Sequence, residues 1–112
     1  MSEETTKNYL IEASITWIRK EIIQTKIDSN TSIYYLNIKF INTNELWSVY
    51  IYVDSIRDQL NNIEPTYVTQ IGFLCEEDVL QFLKEGMDFW LVEGPVSLVG
   101  NGTILRIHKI VS

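Results

Sequence analysis

Apolar residues recur at every second position over several short stretches of this chain, the period of a strand with one buried face. Ile11, Ala13, Ile15 and Trp17 share one parity, while Glu12, Ser14 and Thr16 share the other. Thr66 to Leu74 repeats the pattern, with Tyr67, Thr69, Ile71 and Phe73 on one side. Met87 to Glu93 and Val96 to Val111 read as two closing strands. The polar stretch from Gln24 to Ser32, containing Asp28-Ser29-Asn30, reads as a loop or hairpin end.

Two central stretches constrain each other. Tyr34, Leu36, Ile38 and Phe40 form one apolar parity; Trp47, Val49, Ile51 and Val53 form the next. Between them Asn42-Thr43-Asn44-Glu45 has the composition of a turn. Folded so that Ile41 faces Leu46, the hairpin pairs Phe40 with Trp47, Ile38 with Val49, Leu36 with Ile51 and Tyr34 with Val53. Its other face pairs Lys39 with Ser48, Asn37 with Tyr50 and Tyr35 with Tyr52. A slip of one residue would turn every apolar side chain to the wrong face.

Asp54 to Asn62 fits either a helical turn capped by Asp54, with Ile56, Leu60 and Ile63 inward, or a structured loop. Glu76 to Glu85 reads as a short helix with acids in its first turn, where the macrodipole favours them, and Gly86 at C′. Residues 1–8 read as a polar tail and 9–112 as a single domain. Six closely spaced strands with one short helix point to an antiparallel barrel or sandwich.

Composition agrees with strands: sixteen of the 112 residues are isoleucine and six are tyrosine. Charge narrows the function classes. Nine Lys and Arg against fifteen Asp and Glu give a formal charge of -6, the wrong sign for neutralising a phosphate backbone. Glu76, Glu77, Asp78, Glu85, Asp88 and Glu93 face only Lys84 in their stretch, so most of the imbalance is local. Cys75 is the one cysteine, which excludes an internal disulfide and suits a cytoplasmic setting. The N-terminus lacks the pattern of a signal peptide, and no apolar run approaches the ~20 residues of a membrane-spanning helix.

Candidate chemistry is sparse. His108 is the sole histidine, so no metal site of known spacing assembles, and a serine nucleophile has no Gly-x-Ser-x-Gly elbow. Cys75 is followed by three carboxylates and reads as an inert structural cysteine rather than a nucleophile. Gly100-Asn101-Gly102 is too short for a phosphate loop; it fits a hairpin turn, or a close approach inside a strand if the turn lies at Gly94-Pro95. No cofactor is expected.

One resemblance emerges at the C-terminus. Gly86, Phe89, Leu91 and Glu93-Gly94, followed by Gly100-x-Gly102, resemble the closing strands of the third domain of the elongation factor Tu family. Ile11-Glu12-Ala13-Ser14-Ile15 is similar to that domain's first strand. The resemblance implies a six-stranded antiparallel barrel with its turn at Gly94-Pro95, and it proposes a translation-related RNA- or tRNA-binding role. Val92 and Val96 stand in the region where the family carries arginines, and the 112 residues hold no GTPase domain, so no nucleotide chemistry comes with it.

The expectation is therefore an all-β, six-stranded antiparallel Greek-key barrel with one short helix, a fold whose closure leaves no strand edge open. Its expected role is a non-catalytic protein-interaction module, acting on a protein partner or on itself, away from membranes and nucleic acid. Two surfaces are candidates: Tyr35, Tyr50 and Tyr52, whose rings supply contact area at low entropic cost, and Glu76, Glu77 and Asp78, which would steer a basic partner.

Overall fold

The alternation from Ile11 forms strand β1 (Tyr9–Trp17), whose odd-numbered residues from Ile11 to Trp17 are buried. A computed structural model describes residues 9–41, 43, 45–60, 66–94 and 97–110. The polar segment 1–8, both asparagines of the Asn42–Glu45 turn, Ile63, Pro95 and Val96 lie outside the described residues. After β1 come α1 (Lys20–Lys26), β2 (Ile33–Phe40), β3 (Leu46–Tyr52), α2 (Val53–Leu60) and β4 (Thr66–Phe73). The chain then forms α3 (Glu76–Leu80), β5 (Asp88–Glu93) and β6 (Ser97–Lys109).

All neighbours are antiparallel, and the strands close into a barrel in the order β1-β4-β3-β2-β5-β6. Placing β1 beside β4, at the end of the consecutive run β2-β3-β4, is a Greek-key arrangement. Inside, Phe40 meets Phe73, Phe82 and Phe89 with ring centroids 6.4, 5.8 and 6.2 Å away. Trp17 and Tyr67 add a buried polar link, the indole Nε1 donating to the phenol oxygen at 2.5 Å.

Three helices are present among the described residues, where one was expected. In α1 only Ile23 is buried, and its seven residues include Gln24 to Lys26, read above as loop. The second, α2, resolves the helix-or-loop alternative; it starts at Val53, so Asp54 lies in its first turn rather than capping it. Helix α3 stops at Leu80, and Gly86 is not its C′ residue. Gly86 adopts a positive φ of 92° in a later turn, where its N–H donates to the Ile104 carbonyl at 2.7 Å.

The β2–β3 hairpin keeps the expected parity in a different register. Ile38 opposes Trp47, Leu36 opposes Val49 and Tyr34 opposes Ile51, a displacement of two residues. On the outer face the pairs become Asn37–Ser48, Tyr35–Tyr50 and Ile33–Tyr52. A two-residue slip leaves every side chain on its own face, so the alternation excludes one-residue errors alone. The far end of β2 is held by β5 instead: Phe40 opposes Phe89, and Ile41 N–H donates to the Asp88 carbonyl at 3.1 Å.

At the C-terminus the chain reverses at Gly94, which has a φ of 66°, and Glu93 opposes Ser97. Gly100 and Gly102 lie inside β6, not in a turn. A Cβ on Gly100 would sit 2.7 Å from the Thr16 carbonyl oxygen, and one on Gly102 would collide with the Ser14 carbonyl and the Phe89 ring. These glycines let the β1 backbone and the β5 side chains Leu91 and Phe89 approach the β6 backbone.

Candidate functional site

Strands β2, β3 and β4 present an outer face on which the three candidate tyrosines come together. Tyr35 and Tyr50 oppose each other across β2 and β3, ring centroids 6.3 Å apart, and Tyr50 and Tyr52 meet edge to face at 5.8 Å. Tyr50 also opposes Gly72 on β4, and its ring fills the space that a Cβ on Gly72 would need. The missing side chain gives the ring a flat seat on the strand.

Among the described residues, no loop or helix buries the cluster. Tyr35 is 58% exposed and Tyr52 45% exposed, and the surface continues into Val68 at 58% and Leu74 at 57%. Leu74 shares a shallow cleft of about 260 Å³ with Tyr35, Asn37, Ser48 and Glu93. Val68 shares a larger one with Tyr52 at the opposite end. The result is one apolar strip, Leu74–Tyr35–Tyr50–Tyr52–Val68. Sequence reasoning missed Val68 and Leu74, although both are apolar residues on the polar parity of β4, which was the available signal. Elsewhere Leu46 and Trp90 are also exposed, but Lys39 lies between them in the sheet and interrupts that patch.

The larger cleft, about 530 Å³, opens where β3 runs into α2 and is lined by Glu12, Tyr52, Asp54, Ser55, Val68, Thr69 and Gln70. Pairing of β1 with β4 puts Glu12 opposite Gln70, and the start of α2 supplies Asp54 and Ser55. Ser55 Oγ donates to the Tyr52 carbonyl at 2.7 Å and lies 2.9 Å from Thr69 Oγ1. Arg106 on β6 flanks this region, its Nε 3.7 Å from Glu12 Oε1.

The acidic stretch disperses in three dimensions. Glu85 accepts a hydrogen bond from Ile107 N–H at 3.0 Å, Asp88 from Thr103 Oγ1 at 2.6 Å, and Glu93 from the Tyr34 hydroxyl at 2.5 Å. Three of its six acids thus brace the fold. Glu76, Glu77 and Asp78 form the first turn of α3, with Glu77 and Asp78 exposed. Glu77 lines a surface cleft with Tyr9, Leu80 and the cation of Lys109.

Burial and the Glu93 carboxylate push the Tyr34 phenol far above its ordinary pKa; burial does the same to Tyr67 against the opposing effect of its Trp17 hydrogen bond. Both phenols are structural donors or acceptors at the barrel wall, not surface bases. Cys75 and His108 are exposed, the first just before α3 and the second opposite Leu10 on β6. Neither lines the three clefts described. Among the described residues, no group of three His, Cys, Asp or Glu side chains is placed to hold a metal. No helix among them is long and apolar enough to cross a membrane.

No protein-family model matches the chain, and no curated protein or solved structure is significantly similar to it.

Proposed function

We propose that this barrel is a non-catalytic protein-interaction module whose binding surface is the outer face of β4-β3-β2, centred on Tyr35, Tyr50 and Tyr52. The observation that carries the reading is the continuity of the exposed apolar strip from Leu74 to Val68 across three paired strands. Contiguous apolar surface rimmed by polar groups is the usual mark of a docking site, and tyrosines are favoured anchors there. A closed barrel has no free strand edge, so a partner is engaged by side chains rather than by an added strand.

Glu76, Glu77 and Asp78 remain the alternative surface for a basic partner. Half of the acidic stretch serves hydrogen bonds within the fold, which leaves that surface smaller than the sequence implied and favours the tyrosines. The exposed, unbridged Cys75 suits a cytoplasmic setting. Common architecture with the elongation factor Tu third domain is supported by the Gly94 turn and by Gly100 and Gly102 inside β6, whereas the net charge of -6 speaks against a tRNA role.

The test is paired binding and self-association. Sedimentation of the purified chain and affinity capture from its native host are run with the wild type and with a Tyr35→Ser/Tyr52→Ser variant, at low and at 0.5 M salt. A partner or a dimer retained at high salt and lost in the variant supports the tyrosine face. Complexes indifferent to the variant, or none at all, refute it.

A further inference from the structure

The cleft beside Tyr52 has a lining that selects for one kind of ligand. Among the described residues, the charged groups that line it are the carboxylates of Glu12 and Asp54, with no lysine or arginine. Its hydroxyls add acceptors. Ser55 has a single proton and gives it to the Tyr52 carbonyl, so in the 2.9 Å contact it is Thr69 that donates, to Ser55 Oγ. The protons of Ser55 and Thr69 are therefore spent inside the wall, and what these two hydroxyls can still offer is lone pairs. Thr69 is 6% exposed, the one buried polar residue of the described core, and it is fixed in this arrangement. Gln70 contributes an amide, while the Tyr52 ring and Val68 form the apolar walls.

An acceptor-rich, net-negative cleft with an aromatic wall fits a cationic donor on an apolar stem. An ammonium or guanidinium can meet the carboxylates with its N–H groups and lay its methylenes against Tyr52 and Val68. Arg106 reaches Glu12 from the β6 side only at 3.7 Å and does not line the cleft, so it offsets part of one carboxylate's charge and leaves Asp54 uncompensated by it. A volume of about 530 Å³ accommodates a long side chain.

We propose that this cleft receives a lysine or arginine side chain of the protein that docks on the tyrosine face. The inference rests on the interaction reading given above and adds the partner's chemistry: an apolar segment along Leu74–Tyr35–Tyr50–Tyr52, ending in a basic residue at Glu12 and Asp54. Complementary charge is the reason for choosing this occupant. A neutral apolar ligand would desolvate both carboxylates without bringing either a counter-charge, which is costly.

The probes are Nα-acetyl-arginine amide and Nα-acetyl-lysine amide, with Nα-acetyl-norleucine amide as the uncharged isostere, titrated into the ¹⁵N-labelled full chain. At least one cationic probe is expected to give saturable amide shifts at Tyr52 to Ser55 and Val68 to Gln70, weakened by 0.5 M salt; the norleucine probe leaves them unmoved. Asp54→Asn and Glu12→Gln, both surface changes, each weaken binding by roughly fivefold without altering the rest of the spectrum. Equal shifts from norleucine, shifts indifferent to both substitutions, or no saturable shift overturn the cleft assignment. The Tyr35→Ser/Tyr52→Ser capture experiment judges the tyrosine face separately: capture that needs the tyrosines but ignores Asp54→Asn leaves that face standing and removes the basic-residue inference alone.

Discussion

The Tyr50 ring on β3 lies over Gly72 on β4, occupying the space where any larger residue would place its Cβ. The contact couples an exposed aromatic cluster to one glycine, so a change at that glycine perturbs the proposed binding face apart from the core. The atoms in the way are at the far end of the Tyr50 side chain, which can rotate outward. Gly72→Ala should therefore change stability by less than about 1 kcal/mol, the span of strand propensity. It should nonetheless break the 5.8 Å edge-to-face contact of Tyr50 with Tyr52 and weaken partner binding. Denaturant unfolding and a binding assay on one variant preparation check both halves.

Gly102→Ala should behave in the opposite way. Its Cβ would meet the Ser14 backbone carbonyl and the fully buried Phe89 ring, neither of which can swing into solvent. Forcing β1 and β6 apart should cost about 3 kcal/mol or more, at the top of the range for overpacking. A midpoint shift no larger than that of Gly72→Ala would contradict the close approach described.

Phe40→Ala should remove the hub of the aromatic core, which touches Phe73, Phe82 and Phe89. The expected loss is about 3–5 kcal/mol, the sum of lost burial and the remaining cavity. Urea unfolding measures it directly.

Alkaline stability follows from Tyr34 and Tyr67, whose phenols are held protonated by burial, with Glu93 adding to the effect at Tyr34. In the unfolded chain both ionise near pH 10, so above that pH the folded state binds more protons than the unfolded one. Stability is fully present below pH 10 and falls beyond it by roughly 1.4 kcal/mol per pH unit for each tyrosine. Tyr34→Phe should flatten the decline by about half and cost about 1–2 kcal/mol at pH 7 through the lost Glu93 hydrogen bond. Chemical denaturation between pH 8 and 11.5 supplies the curve.

Strand faces were legible in the sequence because a period of two reports them without any tertiary information: Ile11 to Trp17 and Tyr67 to Phe73 are buried as read. Register was not legible. Ile38 opposes Trp47 instead of Val49, and the hold on Phe40 and Ile41 comes from β5, some fifty residues later. Helix α1 escaped because two turns with one fully buried residue, Ile23, carry too little periodicity to register. The tyrosines were visible as outer-parity aromatics, but their exposure was not, since nothing local says whether a loop covers a sheet face. The acidic stretch misled because adjacency in sequence is not adjacency on a surface: Glu85, Asp88 and Glu93 turn to three different partners. Glu12, Asp54 and Thr69 had no sequence signal at all as a group, being joined only by β1–β4 pairing and the placement of α2.

The proposed role is protein binding by the outer face of β4-β3-β2. Its most direct measurement is the capture of one and the same partner by wild type, Tyr35→Ser/Tyr52→Ser and Gly72→Ala chains, with folding of each verified by its unfolding midpoint. The expected result is a partner, or a second copy of the chain, that survives 0.5 M salt, is reduced at least tenfold by the double tyrosine variant and is weakened by Gly72→Ala. Equal recovery by all three folded proteins, or micromolar salt-sensitive binding of tRNA in place of a protein, would contradict it.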